Sequence, residues 1–108
     1  MSINDLAFEE FAAELASGIS LSTTSYLANV GKMIDINFAV VQSLTAGIEA
    51  AIMTLPVGKR PYKNLILPAF VNGTPNGFCR ITTSGVVSLL PTTTATYIGT
   101  QVTYIANN

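Results

Sequence analysis

The densest group of charged side chains in the sequence is the run Lys-Arg-Pro-Tyr-Lys at residues 59–63. Gly58 permits a tight turn just before it, and Pro61 fixes its own φ and restrains Arg60 to an extended conformation. We therefore expect Gly58, Arg60 and Pro61 to form a rigid structural corner. A guanidinium held in this way suits a carboxylate or a group of carbonyl oxygens as its partner.

The other side chains of this run have two interpretations. Several bases on one turn are more often a corner that is only solvated. The alternative is contact with a partner, because two ammonium groups and a phenol suit phosphate, an anionic glycan or the acidic helix of a neighbouring chain. The candidates for surface contact are Lys59, Tyr62 and Lys63.

Residues for catalytic chemistry are scarce. The chain has one cysteine, Cys79, and no histidine, which excludes Cys-His and Ser-His catalytic pairs and any multi-cysteine or histidine-bound metal site. Asp35 and Glu49 are the only acids after residue 31, and they fall on different predicted strands. We predict a protein that is not an enzyme, with no catalytic, cofactor-binding or metal site, and a Cys79 that is a small buried hydrophobe.

Composition points to a chain that buries surface against other chains. Charged residues make up 10% of the 108 residues and apolar residues 49%, so an ordinary monomer surface would be poorly solvated.

The charge pattern also bears on partners and localisation. The net charge of −1 and the lack of a basic stripe argue against binding to nucleic acid. Pro91 interrupts the long uncharged run after Arg80, so we expect no membrane insertion. The first fourteen residues carry four acids and no basic signal-peptide region, which predicts synthesis in the cytoplasm.

The first 31 residues are predicted to be an attachment or oligomerisation segment. Residues 2–17 have the spacing of an amphipathic helix, with acids in the early turns and Gly18 at its end, and an extended connector follows. A helix this short needs a partner, which is its own β domain, the same helix in sister chains, or a larger assembly. The candidate interface residues on its apolar stripe are Phe8, Phe11, Leu15 and Ile19.

Residues 32–108 are predicted to be a β domain. Residues 33–42 alternate cleanly, with Ile34, Ile36 and Phe38 on one face, and further strands are expected at 48–55, 65–71, 78–83, 86–90 and 95–105. Pro68 lies inside the strand predicted at 65–71, so that strand should lie at an edge or carry a bulge. We expect a loop at residues 72–77, where two Asn-Gly pairs occur. The fold class is mainly β, a small antiparallel β-sandwich or barrel knob preceded by one N-terminal α-helix and an extended connector.

The stretch from Leu55 to Leu90 has a distinctive order of turns and strands. A strand ends in Leu-Pro, a Gly-Lys-Arg-Pro corner follows, and a Gly-x-x-x-Ile strand then leads through a Ser-Gly turn into another strand. The residues of this pattern are Leu55, Pro56, Gly58, Arg60, Pro61, Gly77, Ile81, Gly85 and Val87. Through them the stretch resembles the small β-sandwich head domains of tailed-phage fibre, baseplate and receptor-binding proteins. This resemblance implies a trimer on the virion, attached to other virion proteins through the N-terminal segment.

Two functions follow from this resemblance. In the first, the chain is the knob of a short fibre, displayed on the particle and contacting the host surface, with a host cell-surface glycan as its partner. In the second, it is a capsid or tail decoration or adaptor protein that only stabilises the particle. Members of the family that bind sugar use tryptophan, histidine and acidic side chains, and this chain has neither tryptophan nor histidine. The resemblance therefore assigns no residue to a sugar site.

Overall fold

The computed structural model describes residues 9–106, and these residues form nine antiparallel strands. In chain order, the strands are β1 (Glu9–Glu10), β2 (Glu14–Leu15), β3 (Tyr26–Val30), β4 (Met33–Val40), β5 (Ala50–Thr54), β6 (Leu65–Val71), β7 (Thr74–Ile81), β8 (Val86–Pro91) and β9 (Ile98–Ile105). All nine belong to one sheet, in the order β1-β3-β4-β9-β6-β7-β8-β5-β2. No described helix is long and apolar enough to cross a bilayer. The prediction of a mainly β fold is confirmed.

The sheet is curled into a half-barrel around one hydrophobic core. Alternate residues of each long strand face this core. In β4 the inward residues are Ile34, Ile36, Phe38 and Val40, all of them buried. The long β4–β9 ladder, from Met33↔Ile105 to Val40↔Ile98, holds this wall together. Cys79 lies in the core, as its strand pattern predicts.

The predicted helix at residues 2–17 is wrong over the part that the structure describes. Residues 9–17 contain the two short strands β1 and β2 and no helix, and residues 2–8, with Phe8, lie outside the described range. Phe11 and Ala13 pack against the core while the residues between and beside them are exposed, which is the period of a strand. An isolated helix of this length is marginal in water, whereas two open sheet edges supply backbone partners.

These residues bridge the two ends of the sheet. β1 pairs with β3 and β2 pairs with β5, although only residues 11–13 separate β1 from β2. Two further hydrogen bonds extend the pairing, from the Phe11 amide to the Leu27 carbonyl and from the Ala16 amide to the Ile52 carbonyl, both 2.9 Å long. We call residues 9–16 the clasp, because they satisfy both edges that the curled sheet leaves open.

The predicted loop at residues 72–77 is much shorter in the structure. Asn72 and Gly73 both have positive φ, 50° and 85°, and form a two-residue hairpin turn between the paired residues Val71 and Thr74. Asn76 and Gly77 lie inside β7. Gly77 is there for close packing, since a Cβ would lie 3.1 Å from the Leu90 carbonyl oxygen.

The proposed division of the chain at Gly31 stays a prediction. β3 pairs with β4 along its whole length, from Tyr26↔Asn37 to Val30↔Met33. Segments on either side of residue 31 thus contribute to the same sheet, and only a truncation tests whether the second folds without the first.

Candidate functional site

A cleft opens in the wall of the barrel where β9 and β6 separate. The two strands pair only at Phe70↔Gly99 and Val71↔Ile98, although β6 continues back to Leu65 and β9 continues to Ile105. Pro68 accounts for the separation: its carbonyl accepts a hydrogen bond of 2.8 Å from Thr100 Oγ1 and so points toward β9. The nitrogen of a strand residue points the same way as its carbonyl, and proline has no N–H to donate there.

Pro68 behaves as its position in the sequence predicts, although β6 is not an edge strand. The ladder to β7 has a register shift between Ala69 and Val71, as expected for a bulge. The strand lies between β7 and β9, and its ladder to β9 ends before the proline is reached. Of the two expected outcomes, the bulge is present and the edge position is not, and the proline opens a cleft within the sheet.

Gly99 forms a shallow part of the cleft wall. It lies between Ala39 on β4 and Phe70 on β6. A Cβ on Gly99 would lie 2.5 Å from the Phe38 carbonyl oxygen and 2.8 Å from the Ala39 Cβ, so a side chain cannot be placed without moving β4. The ring of Phe70 therefore has no neighbour of its own size across the β6–β9 ladder.

The cleft combines aromatic rings with neutral hydrogen-bonding groups. Its volume is about 510 Å³, and it is lined by Asn37, Phe38, Ala39, Leu67, Pro68, Phe70, Gly73, Tyr97, Gly99, Thr100 and Gln101. The Phe70 and Tyr97 rings are both exposed, and the Asn37 and Gln101 amides each supply donors and an acceptor. None of the lining side chains is charged. Such a lining suits a neutral ligand that has both an apolar face and hydroxyl groups.

The predicted corner is a fixed turn held by three contacts. Gly58 has a φ of 95°, and the Lys59 amide donates to the Pro56 carbonyl at 3.1 Å. Arg60 Nε donates to the Leu55 carbonyl at 2.9 Å, a backbone partner of the kind that its rigid setting favours. Pro61 is buried and forms a bridge with Ala106.

The flanking side chains of the corner do not converge on one site. The Lys59 carbonyl accepts a hydrogen bond from Tyr104 Oη, and Lys59 Nζ lies 5.5 Å from the centre of the Phe11 ring in the clasp. Tyr62 is exposed, and Lys63 Nζ lies 5.7 Å from the centre of its ring. Tyr62 and Lys63 thus present an exposed pair, whereas Lys59 is engaged with the N-terminal segment.

The predicted attachment residues also differ in their burial. Phe11 and Ile19 pack against the core, and Leu15 is exposed on β2. Because Phe8 lies outside the described residues, Leu15 is the candidate that the described part of the segment offers to a partner.

Sequence reasoning missed an ion pair on the outside of the barrel. Arg80 on β7 makes a bidentate contact with Glu49, with Nη2 to Oε1 at 2.5 Å and Nε to Oε2 at 3.1 Å. Ser88 Oγ also donates to this carboxylate, at 2.5 Å. The hydrogen bonds from Arg80 and Ser88 hold the pKa of Glu49 below its ordinary value. These residues, with Ile66, Phe78 and Leu90, line a mostly apolar depression of about 320 Å³.

Burial keeps Cys79 and Tyr104 protonated at neutral pH. Burial alone raises the pKa of the Cys79 thiol to about 12, so the thiolate that reacts with electrophiles or binds metal is rare at neutral pH. Burial also raises the pKa of Tyr104 well above its usual range. Among residues 9–106, no three cysteine or acidic side chains are close enough together to hold a metal ion.

Comparison with solved structures identifies the fold. The head domain of the lactococcal phage bIL170, a receptor-binding domain, superposes with a TM-score of 0.65 over 94% of this chain and 100% of the phage domain. The fold is that of a phage receptor-binding head domain. The two sequences are 12% identical, so the likeness is one of architecture. No protein-family model matches the chain, and no curated protein matches it.

Proposed function

We propose that this chain is a non-enzymatic virion protein, the head domain of a phage appendage, and that it contacts the host surface through the cleft between β9 and β6. The fold supports the first part, because a phage receptor-binding head domain shares it over nearly the whole chain. The residues that line the cleft support the second part. The non-enzymatic part also agrees with a chain that has no histidine and a buried cysteine.

The ligand class that fits the cleft is a neutral saccharide. A pyranose ring has an apolar face that can lie on the exposed Phe70 or Tyr97 ring, while its hydroxyl groups exchange hydrogen bonds with the Asn37 and Gln101 amides. An anionic glycan would find no cation in the cleft. The positive charges of the corner belong to another part of the surface, so Lys59, Tyr62 and Lys63 are not members of this site.

The experiment is a glycan array probed with the full chain and three variants. We expect binding to neutral glycans that Tyr97→Ala and Gln101→Ala each weaken by about tenfold, which corresponds to roughly 1.4 kcal/mol per lost contact. Thr103→Ala is the matched control, since Thr103 is an exposed residue of β9 outside the cleft. Equal binding by all four proteins would show that the cleft is not the binding site.

A purely structural role predicts a different set of results. If the chain is only a decoration or adaptor protein, phage particles that lack it should adsorb normally but lose infectivity under heat or osmotic stress. Normal stability with impaired adsorption supports the host-contact proposal.

Attachment through the N-terminal segment is part of the same proposal. Leu15 is exposed on β2, next to the acidic side chain of Glu14, and this edge of the clasp is the surface offered to another virion protein. Particles assembled with Leu15→Ser should then carry less of the protein than particles with Ser17→Ala, a nearby exposed position.

A further inference from the structure

Two asparagines of this chain are each followed by glycine, in the pairs Asn72-Gly73 and Asn76-Gly77. An Asn-Gly pair is chemically labile, because glycine has no side chain to keep its backbone nitrogen away from the asparagine side chain. That nitrogen attacks the side-chain carbonyl carbon, and the new C–N bond closes a succinimide ring. The asparagine amide nitrogen takes up the proton of the glycine amide and leaves as ammonia. Water then opens the ring on either side, which gives aspartate or isoaspartate.

The Asn72-Gly73 pair has the freedom that this reaction needs. It is the exposed two-residue turn between the paired residues Val71 and Thr74. Within residues 9–106, neither the Gly73 amide nor the Asn72 side chain has a hydrogen-bond partner. Nothing lies within 4 Å of a Cβ placed on Gly73, so there is room for its nitrogen to rotate toward the Asn72 side chain.

The Asn76-Gly77 pair is held on both sides of its strand. The Asn76 carbonyl accepts hydrogen bonds from the amide and the hydroxyl of Thr92, both 2.8 Å long. Gly77 is buried and is paired with Ala69 on β6 and with Pro91 on β8. Closing a succinimide ring here would require β7 to leave both neighbouring strands. The chain thus contains one free Asn-Gly pair and one that the sheet protects.

The free pair belongs to the wall of the cleft. Gly73 lines the cleft, and the Asn72 amide donates a hydrogen bond of 3.0 Å to the carbonyl of Tyr97, whose exposed ring also lines it. Isoaspartate lengthens the backbone of the turn by one methylene group. The pairing of Val71 with Thr74 and the hydrogen bond to Tyr97 then cannot both keep their geometry. The position of Tyr97 in the cleft therefore depends on an unmodified Asn72.

We propose that Asn72 is a site of spontaneous deamidation, and that its isoaspartate product weakens binding at the cleft as the protein ages. The reaction consumes water and needs no enzyme. The choice of Asn72 over Asn76 follows from the geometry of the two Asn-Gly pairs alone. The effect on binding also rests on the proposed function of the cleft.

The first test is peptide mapping of the full chain by mass spectrometry during storage in neutral buffer. We expect the mass change from amide to acid, together with isoaspartate, to accumulate at Asn72 while Asn76 keeps its amide. Asn76 is an internal control, because it has the same following residue in the same molecule. An unchanged Asn72, or equal conversion of the two asparagines in the folded chain, would overturn the proposal.

Storage of the same chain in concentrated urea separates the fold from the local sequence. Both asparagines should convert at comparable rates there, because unfolding removes the ladders that protect Asn76. A preference for Asn72 that persists in urea would assign the selectivity to the flanking residues and would overturn the structural argument.

The second test compares fresh and aged protein with the variant Asn72→Gly. Glycine suits the positive φ of residue 72 and cannot deamidate. The amount of wild type bound to neutral glycans on the array should fall in proportion to the isoaspartate fraction, whereas aged Asn72→Gly should bind like fresh Asn72→Gly. Equal losses in both proteins, or full binding by converted wild type, would overturn the effect on the cleft.

Thermal melts keep this test independent of the proposed function. If fresh wild type binds no glycan, the proposed function of the cleft fails. The effect of isoaspartate on the turn is then decided by melting temperature, which should fall on ageing in the wild type and stay constant in Asn72→Gly. Equal changes in the two proteins would contradict it.

Discussion

Arg60 Nε donates a hydrogen bond of 2.9 Å to the Leu55 carbonyl, which ties the corner back to the residue that follows β5. Gly85, in the turn between β7 and β8, lies directly against this pair. A Cβ there would be 2.6 Å from Arg60 Nε and 2.8 Å from the Leu55 oxygen. The Leu55 amide in turn donates to the Gly85 carbonyl at 2.8 Å. The corner and the β7–β8 turn therefore form a single packed unit.

Replacing Arg60 by lysine should destabilise this unit. Lysine lacks the planar guanidinium and so has no N–H at the position from which Arg60 Nε donates to the Leu55 carbonyl. We therefore expect a loss of about 1–3 kcal/mol in the free energy of unfolding. Lys63→Ala should have little effect, because Lys63 is exposed. Lys59→Ala removes one cation–π contact with Phe11, worth at most about 1 kcal/mol. Equal, small shifts in thermal melts of the three variants would show that Arg60 is only another surface charge.

Gly85→Ala should be more harmful than an alanine at another glycine of positive φ. Gly85 has a φ of 90° and Gly47 a φ of 78°, so both alanines are strained by roughly 1–3 kcal/mol. Nothing lies within 4 Å of a Cβ at Gly47, so Gly47→Ala reports the strain alone. The difference between the two melting temperatures measures the collision with Arg60. Equal melting temperatures would mean that Arg60 and Leu55 move aside without any loss of stability.

Stability should fall in acid through the Glu49–Arg80 pair. The pKa of Glu49 in the folded chain lies below its usual value of 4.5, because Arg80 and Ser88 donate to the carboxylate. Between the pKa of Glu49 in the unfolded chain and its lower pKa in the folded chain, the unfolded chain binds more protons. The contribution of Glu49 to stability is therefore fully present above the unfolded-state pKa and is lost as pH falls through the folded-state pKa. Melts from about pH 6 to about pH 3 should show a shallower decline for Glu49→Gln and Arg80→Gln than for the wild type. Three parallel curves would contradict this.

Removing the clasp should leave a folded but less stable sheet. A chain beginning at Ser17 lacks the two short ladders to β3 and β5 and the packing of Phe11, but it keeps β3 to β9. We expect a lower melting temperature and increased binding of a hydrophobic dye at the opened edges. A chain beginning at Lys32 also lacks β3 and tests the predicted boundary. If it folds, Gly31 divides two parts, and if it unfolds, β3 belongs to the body of the domain.

The sequence by itself determined where most strands lie and which side of each faces the core. Ile34, Ile36 and Phe38 alternate with polar residues, and the structure buries all three. Burial of a strand face is a local pattern of period two, so one chain is enough to predict it. The burial of Cys79 follows from the same period, whereas the irregularity at Pro68 was predictable because proline has no N–H to donate to a ladder. Tyr97 and Gln101, two members of the cleft, fall within residues 95–105, where the sequence predicts the last strand.

Strand order was decided only by the tertiary structure. The clasp residues have a helical stripe in the sequence, but the open edges of β3 and β5 hold them as strands. Glu49 finds Arg80 across 31 residues, and the cleft joins β4, β6 and β9 because β6 pairs with β9 at only two positions. Hydrogen-bonding edges and neighbours across strands depend on which strands are adjacent, and no local period in the sequence encodes that adjacency.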